Sequence, residues 1–279
     1  MHAVVAIKQV PDTANVRINP ETGTLIREGV PAIINPYDVH ALEMAVRLKE
    51  RFGGKGTVIT MGPPNAAEAL IECVEQGADR AILISDRKFA AADTLATSYV
   101  LARAIEAIQA EEPVDLCLFG LQAIDGDTAQ VGPGVATRLN VPLISYAVHL
   151  ESIDPAAGEA VVHRLTERGV EVLKTRLPAL LTVEKEITPV ARANMIRAAR
   201  YQPELWSATE PVEFEADKIG IKGSPTIVGK AYTPPPKEPG EMVHLAEKGA
   251  AAVTAYALRK IGQAGVVDFL KVASNGGPQ

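Results

Sequence analysis

Short apolar runs recur along this chain at residues 3–7, 57–61, 81–84, 114–119 and 143–148, and longer segments of helical period follow them. This alternation predicts β-α units feeding a parallel sheet. Hydrophobic residues make up 47% of the chain and aromatics only 4%, so the interior is built from Ala, Val, Leu and Ile, the residues of α/β layers. At 279 residues there is room for one main domain and an appendage.

The helices have legible starts. Asn35-Pro36-Tyr37-Asp38 offers an N-cap, a proline for the first helical position and an acid in the first turn, predicting a helix from about 36 to 51. Asp93 is placed to cap a second long helix carrying Leu95, Tyr99, Ala102, Ile105 and Ile108. Asp127 and Gln130 read as a capping pair opening a third helix that ends near Leu139. The polar insert 12–29 contains Asn19-Pro20-Glu21-Thr22-Gly23, a hairpin turn between short strands. After Leu150, residues 161–166 and 170–176 flank Glu167-Arg168-Gly169 as an antiparallel hairpin, and 179–183 form a further strand. We therefore expect an α/β domain over 1–190 and, over 191–279, an arm with a helix from about 242 to 261 that packs on another subunit. Trp206, Phe214, Tyr256 and Leu258 of that arm are expected to need the other subunit for burial.

Several function classes fall away. The formal net charge is −6 and the 28 basic residues are scattered, so no nucleic-acid partner is expected. Cys73 and Cys117 read as small buried residues, and with no C-x-x-C the chain alone holds no zinc or iron–sulfur site. His2, His40, His149, His163 and His244 form no ligand cluster and read as structural or solvated. The N-terminus runs directly into a strand and no apolar stretch approaches membrane-spanning length, which predicts a cytoplasmic protein without membrane insertion. G-x-G-x-x-G after the first strand is missing, and Gly223 to Lys230 has the wrong spacing for a P-loop.

One segment stands out: Gly120-Leu121-Gln122-Ala123-Ile124-Asp125-Gly126-Asp127-Thr128-Ala129-Gln130-Val131-Gly132. It follows the 114–119 strand where open α/β sheets bind ligands, and amides at a helix start there can hold a phosphate. Gly126 permits close backbone approach, whereas Asp125 and Asp127 repel phosphate unless capping or ribose contacts occupy them. Ala6, Ile7 and Lys8, together with Met61 and Gly62, end the neighbouring strands, and Asn35 to Asp38 approach the same edge. Together these outline a crevice; no catalytic residue is assigned.

The motifs V-A-I-K-Q-V-P-D (5–12), N-P-Y-D (35–38), M-G-P (61–63), G-A-D-R (77–80) and Q-A-I-D-G-D-T-A-Q-V-G-P (122–133) resemble those of electron transfer flavoprotein small (beta) subunits. The resemblance implies an open Rossmann-like sheet of the adenine nucleotide alpha hydrolase-like kind with a small antiparallel extension. It further implies a heterodimer with the large (alpha) subunit, and an adenine nucleotide held by Ala6, Asn35, Tyr37, Asp38, Met61 and the 120–131 loop. Conventional members carry an acid matching Gly126 and Asn-Gln-Thr matching Ala129 to Val131, and hold AMP. This loop, and Gly220-Ile221-Lys222-Gly223-Ser224-Pro225-Thr226, are instead similar to the nitrogen-fixation and fermentative branch. What that branch implies is FAD in this subunit and NADH as electron donor. One electron goes to ferredoxin or flavodoxin, and the other through the large subunit's FAD to a quinone- or acyl-CoA-linked acceptor, a dehydrogenase or quinone oxidoreductase. The stretch matching the family's partner-docking segment, 191–200, is short and lacks the usual leucine. Competing readings are a conventional AMP-bearing subunit, a free-standing ATP-binding protein and a purely structural subunit.

Overall fold

The computed structural model describes residues 1–12, 17–18, 25–26, 31–227 and 249–263, in two compact units, Met1–Ala231 and Tyr232–Gln279. In chain order, the first unit carries β1 (His2–Ala6), β2 (Gln9–Pro11), β3 (Arg17–Ile18), β4 (Leu25–Ile26), β5 (Ala32–Ile34) and α1 (Pro36–Phe52). Then follow β6 (Lys55–Met61), α2 (Ala67–Gln76), β7 (Arg80–Ile84), α3 (Thr94–Glu111), β8 (Leu116–Gly120) and α4 (Val131–Leu139). β9 (Leu143–Asp154), β10 (Glu159–Thr166), β11 (Gly169–Arg176), β12 (Ala179–Val183) and β13 (Glu204–Trp206) complete it. The second unit contains α5 (Ala250–Gln263). No described helix is long and apolar enough to cross a membrane.

Among the described residues the main sheet has nine strands in the order β11-β10-β9-β12-β8-β1-β6-β7-β13. The run from β9 through β12 to β13 is parallel, and β9-β10-β11 is the antiparallel extension. Because side chains alternate along a strand, each central strand feeds two cores. Ala3, Val5, Leu116, Leu118 and Leu181 pack under α1 and α2, while Val4, Ala6, Cys117, Phe119 and Leu180 pack under α3 and α4. This two-sided burial is why the runs are continuously apolar. The chain builds outward from β1 through β6 to β7, then α3 carries it back to place β8 on the other side of β1. The switch point between β1 and β8 is where such sheets open a crevice.

The insert starts and ends on a ladder of β2 with β5; within it β3 pairs antiparallel with β4, and the expected turn at 19–23 lies outside the described residues. So do residues 242–248 of the expected C-terminal helix, and His244.

Trp206 and Phe214 correct the expectation that they need another subunit, because this chain buries both. β13 pairs with the open edge of β7, and Arg80 fastens it by donating to both oxygens of Glu204 at 2.7 and 2.8 Å and to Glu111 at 2.7 Å. Phe214 meets Phe89 edge-on at 5.4 Å. Covering an edge strand removes a site of unwanted strand pairing, a long-range gain that residue spacing near 206 does not encode. Leu258, by contrast, is exposed on α5. Trp206→Ala should cost about 3–5 kcal/mol, as for other buried aromatic deletions. It should also speed amide exchange at Ser85, whose N–H donates to the Trp206 carbonyl; an unchanged denaturation midpoint would contradict this packing.

Candidate functional site

At the switch point β1 and β8 diverge, and the side chain of Asp38, in the first turn of α1, fills the gap. The carboxylate is buried. Its Oδ2 accepts from the Lys8 amide at 2.7 Å, its Oδ1 accepts from Asn35 Nδ2 at 2.9 Å, and the Gly120 amide donates to it as well. The ends of both strands are thus tied to the start of one helix. Gly120 is a true glycine position, since an added Cβ would collide with Asp38 Oδ1 and crowd the Tyr37 Cβ at 2.7 Å.

Asn35 corrects its expected role. It precedes α1, but its side chain makes no capping bond. Fully buried, its carboxamide donates to the Gln122 carbonyl at 2.8 Å and accepts from the Ile124 amide at 3.1 Å. Two donors and one acceptor are therefore all engaged. Asn35 spends its polarity on pinning the 120–130 loop.

The loop itself differs from the sequence expectation. α4 begins at Val131, not Asp127, and Asp127 is left-handed at φ 49°. The Asp127 carboxylate accepts from Gln122 Nε2 at 3.0 Å instead of capping the helix. Pro133 explains the later start: lacking an N–H, it is tolerated only in a first turn. The second left-handed residue is Ala129, at φ 52°. Gly126 is not among the positive-φ glycines, and a Cβ there meets nothing within 4 Å, so neither the backbone nor a contact within the chain requires glycine at 126. Non-glycine residues with positive φ cluster at functional sites, where surrounding contacts sustain them.

Those contacts are present. Lys8 Nζ donates to both oxygens of Asp125 at 2.7 Å, and Thr94 Oγ1, at the start of α3, donates to Gln130 Oε1 at 2.8 Å. Residues 125–128 and Gln130 are exposed, Gln122, Ala129 and Val131 are half-buried, and Gly132 is buried. A Cβ on Gly132 would lie 2.5 Å from Thr182 Cγ2, so that glycine serves helix-on-sheet packing. Ala6 and Ile7 are buried, and Met61 and Gly62 half-buried at the end of β6. Thr94, Glu184 and Lys185 were missed by sequence reasoning. Lys185 Nζ stands 4.9 Å from the Tyr37 ring centroid, and Tyr37 is held above its ordinary value by burial and by Glu184, Asp127 and Glu186. No local pattern announces these partners.

The remaining polar groups have structural occupations. His2 hydrogen-bonds with Thr57 Oγ1 and the Pro113 carbonyl, His40 with the Thr188 carbonyl, and His163, stacked edge-on with His149, with Glu151. Burial raises both cysteine thiols, Cys117 to about 12, so neither is a nucleophile near neutral pH.

Burial pushes the Asp38 carboxyl up to about 7, against the pull of its three N–H donors. Between the ordinary carboxyl range and pH 7 the folded chain then binds a proton that the unfolded chain has lost. The stability Asp38 contributes is greatest at the acid end of that window and falls as pH rises through it. Melting temperatures of wild type and Asp38→Asn, compared from pH 4 to 8, should show the wild type's relative stability declining toward pH 7. A difference independent of pH would contradict it.

A family model described as electron transfer flavoprotein domain matches residues 22–211. Protein FixA of Azotobacter vinelandii is 50% identical over 240 residues, 85% of this chain and 85% of its own. The electron transfer flavoprotein subunit beta of Clostridium acetobutylicum is 43% identical over 263 residues, 93% of this chain and 98% of its own. The caffeyl-CoA reductase-Etf complex subunit CarD of Acetobacterium woodii is 47% identical over 247 residues, 87% and 92% respectively.

Proposed function

The chain belongs to the electron transfer flavoprotein family as a small (beta) subunit, and from that premise we propose that it binds FAD on the 120–132 loop and takes part in splitting the electron pair of NADH. The observation that carries this reading is the loop's charge arrangement at the switch point. Lys8 neutralises Asp125 and Gln122 holds Asp127 by a hydrogen bond, which leaves one uncompensated carboxylate in the loop in place of two. The first-turn amides of α4 are the donors that any helix start leaves open, at the positive end of its dipole.

These residues fit a dinucleotide. Thr128 and Gln130 supply neutral hydrogen-bonding groups beside the amides, and the open space at Gly126 leaves room that an acid would fill with charge. Bound FAD supplies the chemistry, accepting two electrons together and releasing them singly. The chain's own part is to hold the phosphates, to keep the loop's left-handed turns in place through Asn35, Gln122 and Thr94, and to exclude water beneath it with Asp38 and Tyr37. The partners of this reading are a large subunit with its own FAD, ferredoxin or flavodoxin as low-potential acceptor, and a dehydrogenase or quinone oxidoreductase. Helix α5, none of whose described residues is buried, is our proposed meeting surface for the large subunit. AMP in place of FAD, with electrons arriving from dehydrogenases, is the alternative.

Gly126→Asp tests the assignment by placing a carboxylate in that open space without backbone strain. The complex should lose this subunit's flavin and keep the other, and NADH-dependent reduction of ferredoxin or flavodoxin should cease. Flavin per complex, measured after denaturation, and NADH oxidation with both acceptors present report the outcome. Retention of both flavins and of that activity in the variant would overturn the role of Gly126.

A further inference from the structure

The segment Gly220-Ile221-Lys222-Gly223-Ser224-Pro225-Thr226, prominent in the sequence, has no part in the site described above. It lies against the start of α3, and its polar bonds converge on Asp93. The Asp93 amide donates to Ser224 Oγ at 2.8 Å, and that hydroxyl donates to the Gly220 carbonyl at 2.7 Å. Asp93 Oδ2 accepts from the Thr226 amide at 3.1 Å and from Thr226 Oγ1 at 2.8 Å. The other carboxylate oxygen, Oδ1, caps α3 by accepting from the Leu95 and Ala96 amides at 2.9 and 3.0 Å.

Two glycines make so close a fit possible. Gly220 is left-handed at φ 53°, and a Cβ on it would collide with the Lys88 carbonyl oxygen; one on Gly223 would collide with the Lys218 backbone. Immediately after Asp93, Thr94 Oγ1 holds Gln130, the residue between left-handed Ala129 and the first residue of α4. One short stretch thus grips the C-terminal segment with one residue and the downstream end of the loop with the next.

We propose that Asp93 is a positioning residue that ties segment 220–226 to the 120–132 loop through Thr94, so that the segment's grip on α3 sets how long the loop retains its nucleotide. The inference rests on the nucleotide reading of that loop given above. Because the two carboxylate oxygens divide the work, the roles separate by substitution. Asp93→Ser keeps one oxygen and a good N-cap but frees Thr226. Asp86→Ser is the matched control: the Asp86 carboxylate also caps a turn, at the Lys88 amide, and tethers the later chain, at the Ala208 amide, but the residue that follows it has no bond to the loop comparable to that of Thr94.

The experiment uses the full complex with the large subunit and follows release of bound FAD and AMP by chromatography after dilution. Asp93→Ser and Thr94→Val should each release this subunit's nucleotide about tenfold faster, the scale of one hydrogen bond lost. Thr94→Ser should restore the wild-type rate, Asp86→Ser should match wild type, and the melting temperature of Asp93→Ser should stay close to wild type. Equal release from Asp93→Ser and wild type, or equally fast release from Asp86→Ser, would overturn the positioning role. A wild-type complex that yields no nucleotide attributable to this subunit would instead overturn the nucleotide reading.

Discussion

A buried carboxylate at the mouth of a parallel sheet organises everything downstream of it. Asp38 accepts from the Lys8 amide, from Asn35 and from the Gly120 amide, joining the ends of two adjacent strands to the start of the helix between them. A sheet with this order separates at β1 and β8 because their following connections leave toward opposite faces, and backbone amides at the parting need partners. One side chain satisfies two of them. Its desolvation is costly, which is why its proton affinity rises, and three charge-assisted hydrogen bonds offset the cost.

From that point order spreads into the loop. Asn35, oriented by Asp38, fixes Gln122 and Ile124; Gln122 holds Asp127; Lys8 holds Asp125; Thr94 holds Gln130. The two left-handed residues, Asp127 and Ala129, each disfavoured by roughly 1 kcal/mol or more, lie between these tethers. Tethers made within the chain reduce the ordering that a ligand would otherwise have to supply. Family membership joins this geometry to electron transfer, while the ion pair at Asp125 and the open face at Gly126 are the observations on which the proposed dinucleotide rests.

The architecture was legible where local rules govern. The apolar runs became the central strands because both faces of the sheet are covered, and Asp93 caps α3 as its position suggested. The meeting of the ends of β1 and β8 with the start of α1 was legible too, since strand ends of a parallel sheet lie along one edge. Misreadings came where distant partners outbid neighbours. Asp127 resembles a cap three residues before Gln130, yet Gln122 takes its carboxylate; Pro133 carried the signal that the helix starts later. Asn35 resembles a cap by sequence, yet faces a loop some ninety residues away, a separation that no spacing rule spans. Trp206 looked stranded because the exposed edge of β7 that its strand covers cannot be read from its own segment, and Phe214 because the rings it meets, Phe89 and Tyr99, lie far back in the chain.

The central claim is that this prepared loop holds FAD and not AMP. Denaturing the wild-type complex and identifying every nucleotide released, per mole of each subunit, tests it most directly. Two FAD and no AMP per heterodimer is the result this account predicts; one FAD and one AMP would contradict it.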